Sequence, residues 1–282
     1  MTAVALFSLR EALRRRVFIV VAILTVGCGV LYGLAVWRVF STLEEFVGDR
    51  PAGVEPEVIA GATLLGLSLF GTLFLGSILA VFLTLGAVRG DAERGLLQPL
   101  LVRPLTRREY LLARLLGAGG VCAAYTLLVY TGAVVVTGAI GGWWPDRLVV
   151  IGLQMGAAVV VVAALSLAGS VLLSATANGI AVFMAFGAGL VAGLLGQIAD
   201  AFNSNGLENA ATAVSWALPF EALYQSALAD ITASTGDFTR LAIQLGPLGG
   251  AQPAGRALWL FTIAYVAAVT VLAAAAFNRR DL

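Results

Sequence analysis

Few side chains in this sequence are of the types that catalyse reactions. The 282 residues include no histidine, which excludes Ser-His-Asp and Cys-His nucleophile pairs and histidine-containing zinc sites. The acidic residues of the two terminal segments and of the segment between residues 87 and 113 show no recognisable metal-ligand spacing. These residues are Glu11, Asp91, Glu93, Glu109 and Asp281. The sequence therefore predicts no enzyme active site and no bound cofactor or metal.

The composition indicates an all-α polytopic membrane protein with six transmembrane helices. Apolar residues make up 60% of the chain and charged residues 12%, about half of the roughly 25% usual in soluble domains. A bilayer core about 30 Å thick requires about 20 apolar residues in a helix. Six runs reach that length, and the first exceeds a signal-peptide core, so we expect it to be retained. The predicted spans are 17–36, 62–87, 113–141, 148–174, 179–198 and 257–277, with a short link at 175–178.

The distribution of arginine predicts the orientation. Placing both termini in the cytoplasm puts 12 of the 17 basic residues on the inner side, which is a clear positive-inside bias. We therefore expect a multi-pass protein of the cytoplasmic (inner) membrane with both termini cytoplasmic. The net charge of +1 gives no indication of nucleic-acid binding.

No Asp, Glu or Arg lies in the middle of a predicted span. Ion-coupled carriers usually keep an ionisable group within the membrane, so a secondary carrier is a disfavoured alternative. If the protein moves a substrate uphill, the energy must come from another subunit.

Two segments outside the spans are expected to form helices. Residues 1–16 resemble an amphipathic interfacial helix, although they could simply extend the first span. The stretch 199–256 is the longest external loop, and an apolar stripe predicts a helix at 217–230 that caps the outer end of the bundle.

The cytoplasmic segment between the second and third spans is the most informative part of the chain. It combines arginines with a short leucine-rich helix at 96–101. An ordinary positive-inside loop is one interpretation. Leucines exposed to water favour the other, in which the segment docks on a partner protein.

Several motifs of this sequence resemble those of the ABC-2 type permeases. Leu96, Gln98 and Pro99 depart from the family pattern in this loop. The residues that match it are Glu93, Gly95, Leu97, Pro104, Thr106 and Arg107. The ending 277–282 is similar to the Phe-x-Arg-Arg-Asp-Leu tail of many members, and 218–224 resembles an external motif before the last span.

The resemblance implies a single ABC-2 transmembrane domain over residues 1–282, with a coupling loop at 88–112. Two six-helix subunits, forming a homodimer, would associate in the lipid bilayer with two copies of a cytosolic ABC ATPase that binds ATP and Mg²⁺. It implies an exporter, and the alternative is a membrane scaffold that recruits a cytosolic partner. The residues implied in ATPase coupling are Asp91, Glu93, Arg94, Gly95, Leu96, Leu97, Leu100, Pro104 and Arg107.

Polar residues within two spans could line a substrate pathway. They must face protein or a cavity rather than lipid, although serine can also bond to its own helix. A pathway otherwise without charge suits a lipid-like or amphipathic cargo. The candidates are Ser68, Thr72 and Ser77 in the second span and Gln154, Ser166, Ser170 and Ser174 in the fourth. The GxxxG pairs Gly29/Gly33 and Gly189/Gly193 instead favour helix packing.

Overall fold

The computed structural model describes residues 16–45, 56–85, 107–202, 205–231, 233, 253 and 255–279. In these ranges the chain forms eight α-helices and no strand, which confirms the predicted all-α class. In chain order they are α1 (Arg16–Glu45), α2 (Pro56–Thr84), α3 (Arg107–Gly141), α4 (Leu148–Leu172), α5 (Ala175–Phe202), α6 (Asn205–Ala217), α7 (Pro219–Ile231) and α8 (Ala257–Asn278).

Six helices, α1 to α5 and α8, are long and apolar enough to cross a membrane, as the sequence predicts. Most are longer than the apolar runs: α1 continues to Glu45 and α3 begins at Arg107. A helix satisfies its own backbone hydrogen bonds, so it can continue beyond the apolar layer. The predicted link at 175–178 is wrong, because α5 begins at Ala175 and only Leu173 and Ser174 separate it from α4.

Consecutive spans run in opposite directions, so the bundle has two ends. We call proximal the end at which α2 finishes and α3 begins, on either side of residues 86–106, and distal the opposite end. At the proximal end, Leu111, Val171 and Phe277 share a hydrophobic cluster. The start of α3 and the ends of α4 and α8 are therefore packed together there.

The central element of the bundle is α4. It packs against α2, α3, α5, α7 and α8, and its buried apolar residues occur all around the helix, as expected of a core helix. By contrast, α1 packs mainly against α2 and α3, and most of its side chains are exposed on the surface of the bundle.

The segment 199–256 contains more helix than the sequence predicted. α5 extends to Phe202, and α6 fills a stretch that was expected to be loop. A helix of 13 residues is marginal by itself, and packing against α5 supplies the stability that α6 lacks alone. The helix predicted at 217–230 is confirmed as α7, with bounds shifted by one or two residues.

The position predicted for α7 is wrong, because this helix is inserted into the bundle and does not merely cap it. Phe220 packs against Gly189 of α5, where a Cβ atom would lie 2.5 Å from the ring Cζ, so only glycine leaves room for the ring. Gly189 lies about 20 Å before the end of α5 at 1.5 Å per residue. α6 and α7 therefore form a hairpin that enters the bundle from the distal end and returns to it.

Candidate functional site

Residues 88–106 of the predicted coupling loop lie outside the described residues, as does the interfacial helix predicted for 1–16, apart from Arg16 in α1. The last part of the loop, 107–112, forms the start of α3. Of the predicted coupling residues, the structure therefore places Arg107 alone, as the first residue of α3. The coupling residues outside the described ranges are Asp91, Glu93, Arg94, Gly95, Leu96, Leu97, Leu100 and Pro104.

The two helices that flank this loop are packed tightly against each other and against α4. A Cβ atom on Gly76 of α2 would lie 2.8 Å from Thr126 Oγ1 of α3 and 2.8 Å from Val159 Cγ2 of α4. Glycine at this position lets the three helices approach closely. α2, α3 and α4 thus form one packed unit, and the loop connects two of its helices, α2 and α3.

A buried polar cluster lies where α2 ends, and it consists of Thr84, Ser166 and Asn178. The hydroxyl oxygens of Thr84 and Ser166 are 2.7 Å apart and share a hydrogen bond. Asn178 Nδ2 donates a hydrogen bond of 2.8 Å to the backbone carbonyl oxygen of Ser166. All three residues are at most 1% exposed. This proximal cluster joins α2, α4 and α5 by side-chain hydrogen bonds.

The polar residues that the sequence singled out on α2 do not form a shared site. Thr72 Oγ1 donates to the carbonyl oxygen of Ser68 at 2.8 Å, within the same helix. Ser77 is fully buried, and its hydroxyl has no hydrogen-bond partner in the described part of the chain.

The candidates predicted for the fourth span, three on α4 and Ser174 just after it, are divided between the two ends of the bundle. Ser166 belongs to the proximal cluster, while Gln154 contacts α7 near the distal end. Ser170 donates to the carbonyl oxygen of Leu167 at 2.7 Å, and Ser174 is exposed. None of the seven candidates lines either cavity described below, and their role in a pathway stays a prediction.

A buried carboxyl group that sequence reasoning did not single out lies on α7. Glu221 is 3% exposed, accepts a hydrogen bond from Gln225 Nε2, and is also hydrogen-bonded by the Ser215 side chain of α6. A Cβ atom at Gly193 of α5 would overlap its Oε1, so this carboxyl group lies against the α5 backbone. Within the described ranges no arginine forms an ion pair with Glu221.

The environment of Glu221 favours its protonated form. Burial raises the pKa of Glu221 from 4.5 to about 7, and this outweighs the hydrogen bonds from Gln225 and Ser215, which lower it. No Asp, Glu or Arg was predicted in the middle of a span, and α7 is not a span. By packing against Gly193 of α5, it nevertheless brings a carboxyl group into the interior of the helix bundle.

A second polar network fixes the distal end of α7 to the start of α4. Gln154 Nε2 donates to Ser226 Oγ and to Asp230 Oδ2, each at 2.9 Å. Arg147 Nη1 forms an ion pair with Asp230 Oδ1 at 3.0 Å. Gln154 and Asp230 are 3% and 9% exposed, so this network is anchored in the protein interior.

Two apolar cavities open on the α2–α5 side of the bundle. The cavity between the proximal halves of α2 and α5 has a volume of about 590 Å³, and the one between α1, α2 and α5 about 460 Å³. Phe82 and Phe183 line both, so the two are adjacent. In the described part of the chain no group of three acidic or cysteine side chains is placed to hold a metal ion.

A row of aromatic rings leads from the second cavity to α7. Phe74 lines the cavity and lies 6.1 Å from Phe186 between ring centroids. Phe186 in turn stacks on Phe220 at 5.3 Å. The cavity wall and the inserted hairpin are therefore in continuous contact through apolar groups.

The helix order and the position of the loop can now be compared with known proteins. The family described as ABC-2 family transporter protein matches residues 2–282, nearly the entire chain. The chain belongs to this family. No curated protein matches it at a significant level.

Membership of the ABC-2 family confirms the resemblance that the loop and tail motifs indicated. The protein is a multi-pass membrane protein and the permease component of an ABC transporter, a class that works with an ABC ATPase subunit.

The residues that sequence reasoning missed carry weak signals. Glu221 and Gln225 have the i, i+4 spacing of a helical pair in a segment that was already expected to be helical. Asn178 continues the four-residue spacing of Ser170 and Ser174, but the sequence gives no sign of the Thr84 and Ser166 partners.

Proposed function

We propose that this ABC-2 permease, as a homodimer with two cytosolic ABC ATPase subunits, couples ATP hydrolysis to the export of a lipid-like or amphipathic cargo. The observation that carries the proposal is the family match over residues 2–282. The inner membrane, with both termini cytoplasmic, is the proposed location. The proximal end of the bundle is then the cytoplasmic end.

In this mechanism the ATPase acts on the loop at 88–112. Nucleotide-driven movement of the loop would displace α2 and α3, whose backbones approach each other and α4 closely at Gly76. A tightly packed unit moves as a rigid body rather than deforming continuously, so the displacement would reach the distal half of the bundle.

The chemistry of the cavities supports the proposed cargo class. All the residues that line either cavity are apolar except Thr176, which lines the larger one. Apolar walls offer no hydrogen-bond donors for a strongly hydrated ion, whereas acyl chains fit them without desolvating polar groups.

A double substitution in the loop tests the coupling. We expect Glu93→Ala with Arg94→Ala to weaken co-purification of the permease with its ABC ATPase and to reduce ATP hydrolysis by the complex. Arg103→Ala, in the same loop but outside the proposed contact, is the matched control and should retain both. If the double variant binds the ATPase and supports ATP hydrolysis as well as the unchanged protein does, Glu93 and Arg94 do not form the contact.

The buried carboxyl group of Glu221 gives a reason to test a secondary carrier directly, because such carriers use intramembrane acids. Proteoliposomes with the permease alone are compared with proteoliposomes that also contain the ATPase and ATP. A fluorescently labelled phospholipid serves as the probe. Nucleotide-dependent movement of the probe supports the ABC mechanism, and movement driven by a proton gradient without the ATPase contradicts it.

A further inference from the structure

The proximal cluster has a position that no static packing role requires. Thr84 is the last residue of α2, immediately before the segment that contains the coupling loop. Asn178 lies in the first turn of α5, just after the short link from α4. The cluster thus connects α2, which leads into the loop, to α5, which is not adjacent to the loop in sequence.

The helices α2 and α5 are otherwise poorly connected at this end. Both pack against α4, and the apolar cavity of about 590 Å³ lies between their proximal halves. Leu85 and Gly179, which adjoin Thr84 and Asn178 in sequence, line this cavity and approach each other at its edge. The hydrogen bonds through Ser166 therefore connect α2 to α5 at the edge of this cavity, whose width depends on the distance between the two helices.

The amide of Asn178 is only half used in this arrangement. Its Nδ2 atom donates to Ser166, whereas its buried Oδ1 atom has no hydrogen-bond partner in the described part of the chain. Oδ1 lies over Gly169 of α4, where a Cβ atom would overlap it. A buried acceptor without a donor is costly, so an alternative position of α5 that supplies a donor would be competitive in free energy.

We propose that Asn178 is a positioning residue that transmits displacement of α2 to α5 through Ser166, and so sets the width of the cavity between them. The proposal rests on the proposed coupling to an ABC ATPase. It assigns to the cluster the role of a two-state connection, with hydrogen-bond partners exchanged as the cavity narrows. A contiguous element with two arrangements is the physical requirement for coupling between distant sites.

Cross-linking across the cavity tests this proposal. Leu85→Cys and Gly179→Cys are introduced together in the complete complex with its ATPase, in a background with Cys28→Ser and Cys122→Ala. The rate of oxidative cross-linking is measured without nucleotide and with ATP, Mg²⁺ and vanadate. With an intact cluster we expect nucleotide to change this rate by roughly fivefold, the factor associated with one hydrogen bond.

Asn178→Leu and Thr84→Val should each abolish the effect of nucleotide on the rate while ATPase binding is retained. Ser170→Ala is the matched control, because it removes a buried hydroxyl of α4 that, in the described part of the chain, bonds within its own helix to Leu167. Thr84→Val is close to isosteric and keeps the test valid if Asn178→Leu does not fold.

The outcomes distinguish this proposal from the proposed function. If nucleotide changes cross-linking equally in the intact protein, Asn178→Leu and Thr84→Val, the positioning role is refuted while ATP coupling stands. If the ATPase neither binds nor affects the intact protein, the proposed function itself fails.

Discussion

Replacing Glu221 by glutamine should stabilise the inserted hairpin, and the gain should depend on pH. Glutamine resembles the protonated acid in shape and remains neutral at every pH. It can also form a hydrogen bond with Gln225, since either amide can turn its oxygen or its nitrogen toward the other. The substitution therefore changes the charge of the group while it preserves the packing against α5.

The size of the effect follows from the two pKa values of this carboxyl group. The pKa is about 7 when α7 is docked and 4.5 when the group is exposed to water. The docked state binds the proton more tightly, so its stability falls as pH rises between about 4.5 and 7 and remains low above that range. The difference of about 2.5 pKa units corresponds to about 3 kcal/mol.

Hydrogen exchange of the α7 backbone amides measures the docking free energy directly. At pH 8, these amides should exchange more slowly in Glu221→Gln than in the unchanged protein, by a factor of the order of 100. At pH 5, the factor should fall to about four, because the docked carboxyl group is then already protonated.

Glu208→Gln on the exposed surface of α6 is the control, and it should leave exchange in α7 unchanged. The reasoning would be refuted if Glu221→Gln showed the same protection factor relative to the unchanged protein at both pH values. It would also be refuted if the variant were the less protected protein at pH 8.

Three further experiments, two of them with a matched control substitution, test how the hairpin is held. Gly193→Ala should lower the thermal unfolding midpoint by an amount equivalent to about 1–3 kcal/mol, because its Cβ would overlap a buried carboxyl group, whereas Gly187→Ala meets open space and should not. Gln154→Leu should cost about 1–3 kcal/mol by leaving buried partners unpaired, and Arg147→Met, which removes a largely exposed partner, at most about 1 kcal/mol in denaturant titrations. Tyr265→Phe removes a hydrogen bond of 2.6 Å to the carbonyl oxygen of Ala217, at the connection between α6 and α7 that we call the elbow of the hairpin. It should speed amide exchange at the elbow by about fivefold. Equal effects for either matched pair, or unchanged exchange at the elbow, would contradict the contacts described.

The spans could be predicted because the bilayer imposes a length and a composition on each of them. The run at 257–277 and α8 (Ala257–Asn278) agree to within one residue. The membrane constrains α6 and α7 far less, since neither has to cross it. For α7 the apolar stripe identified a helix, but nearly all of its faces are buried. Its position could not be read from periodicity.

The polar contacts escaped prediction for a different reason. Thr84, Ser166 and Asn178 are distant in sequence, and each has an ordinary local role available, such as bonding to its own helix. Only the packing of α2 and α5 on either side of α4 brings them together. Glu221 could likewise not be predicted as buried, because in sequence it is an acidic residue of an external segment. Its burial results from the packing of α7 against α5.

The central position of α4 also constrains the order in which the protein can assemble during synthesis. Its neighbours α2 and α3 precede it in the chain, whereas α5, α7 and α8 follow. A growing chain can therefore bring three helices together before the remaining partners leave the ribosome. The hairpin that carries Glu221 can then pack against α2 and α4, which are already in place.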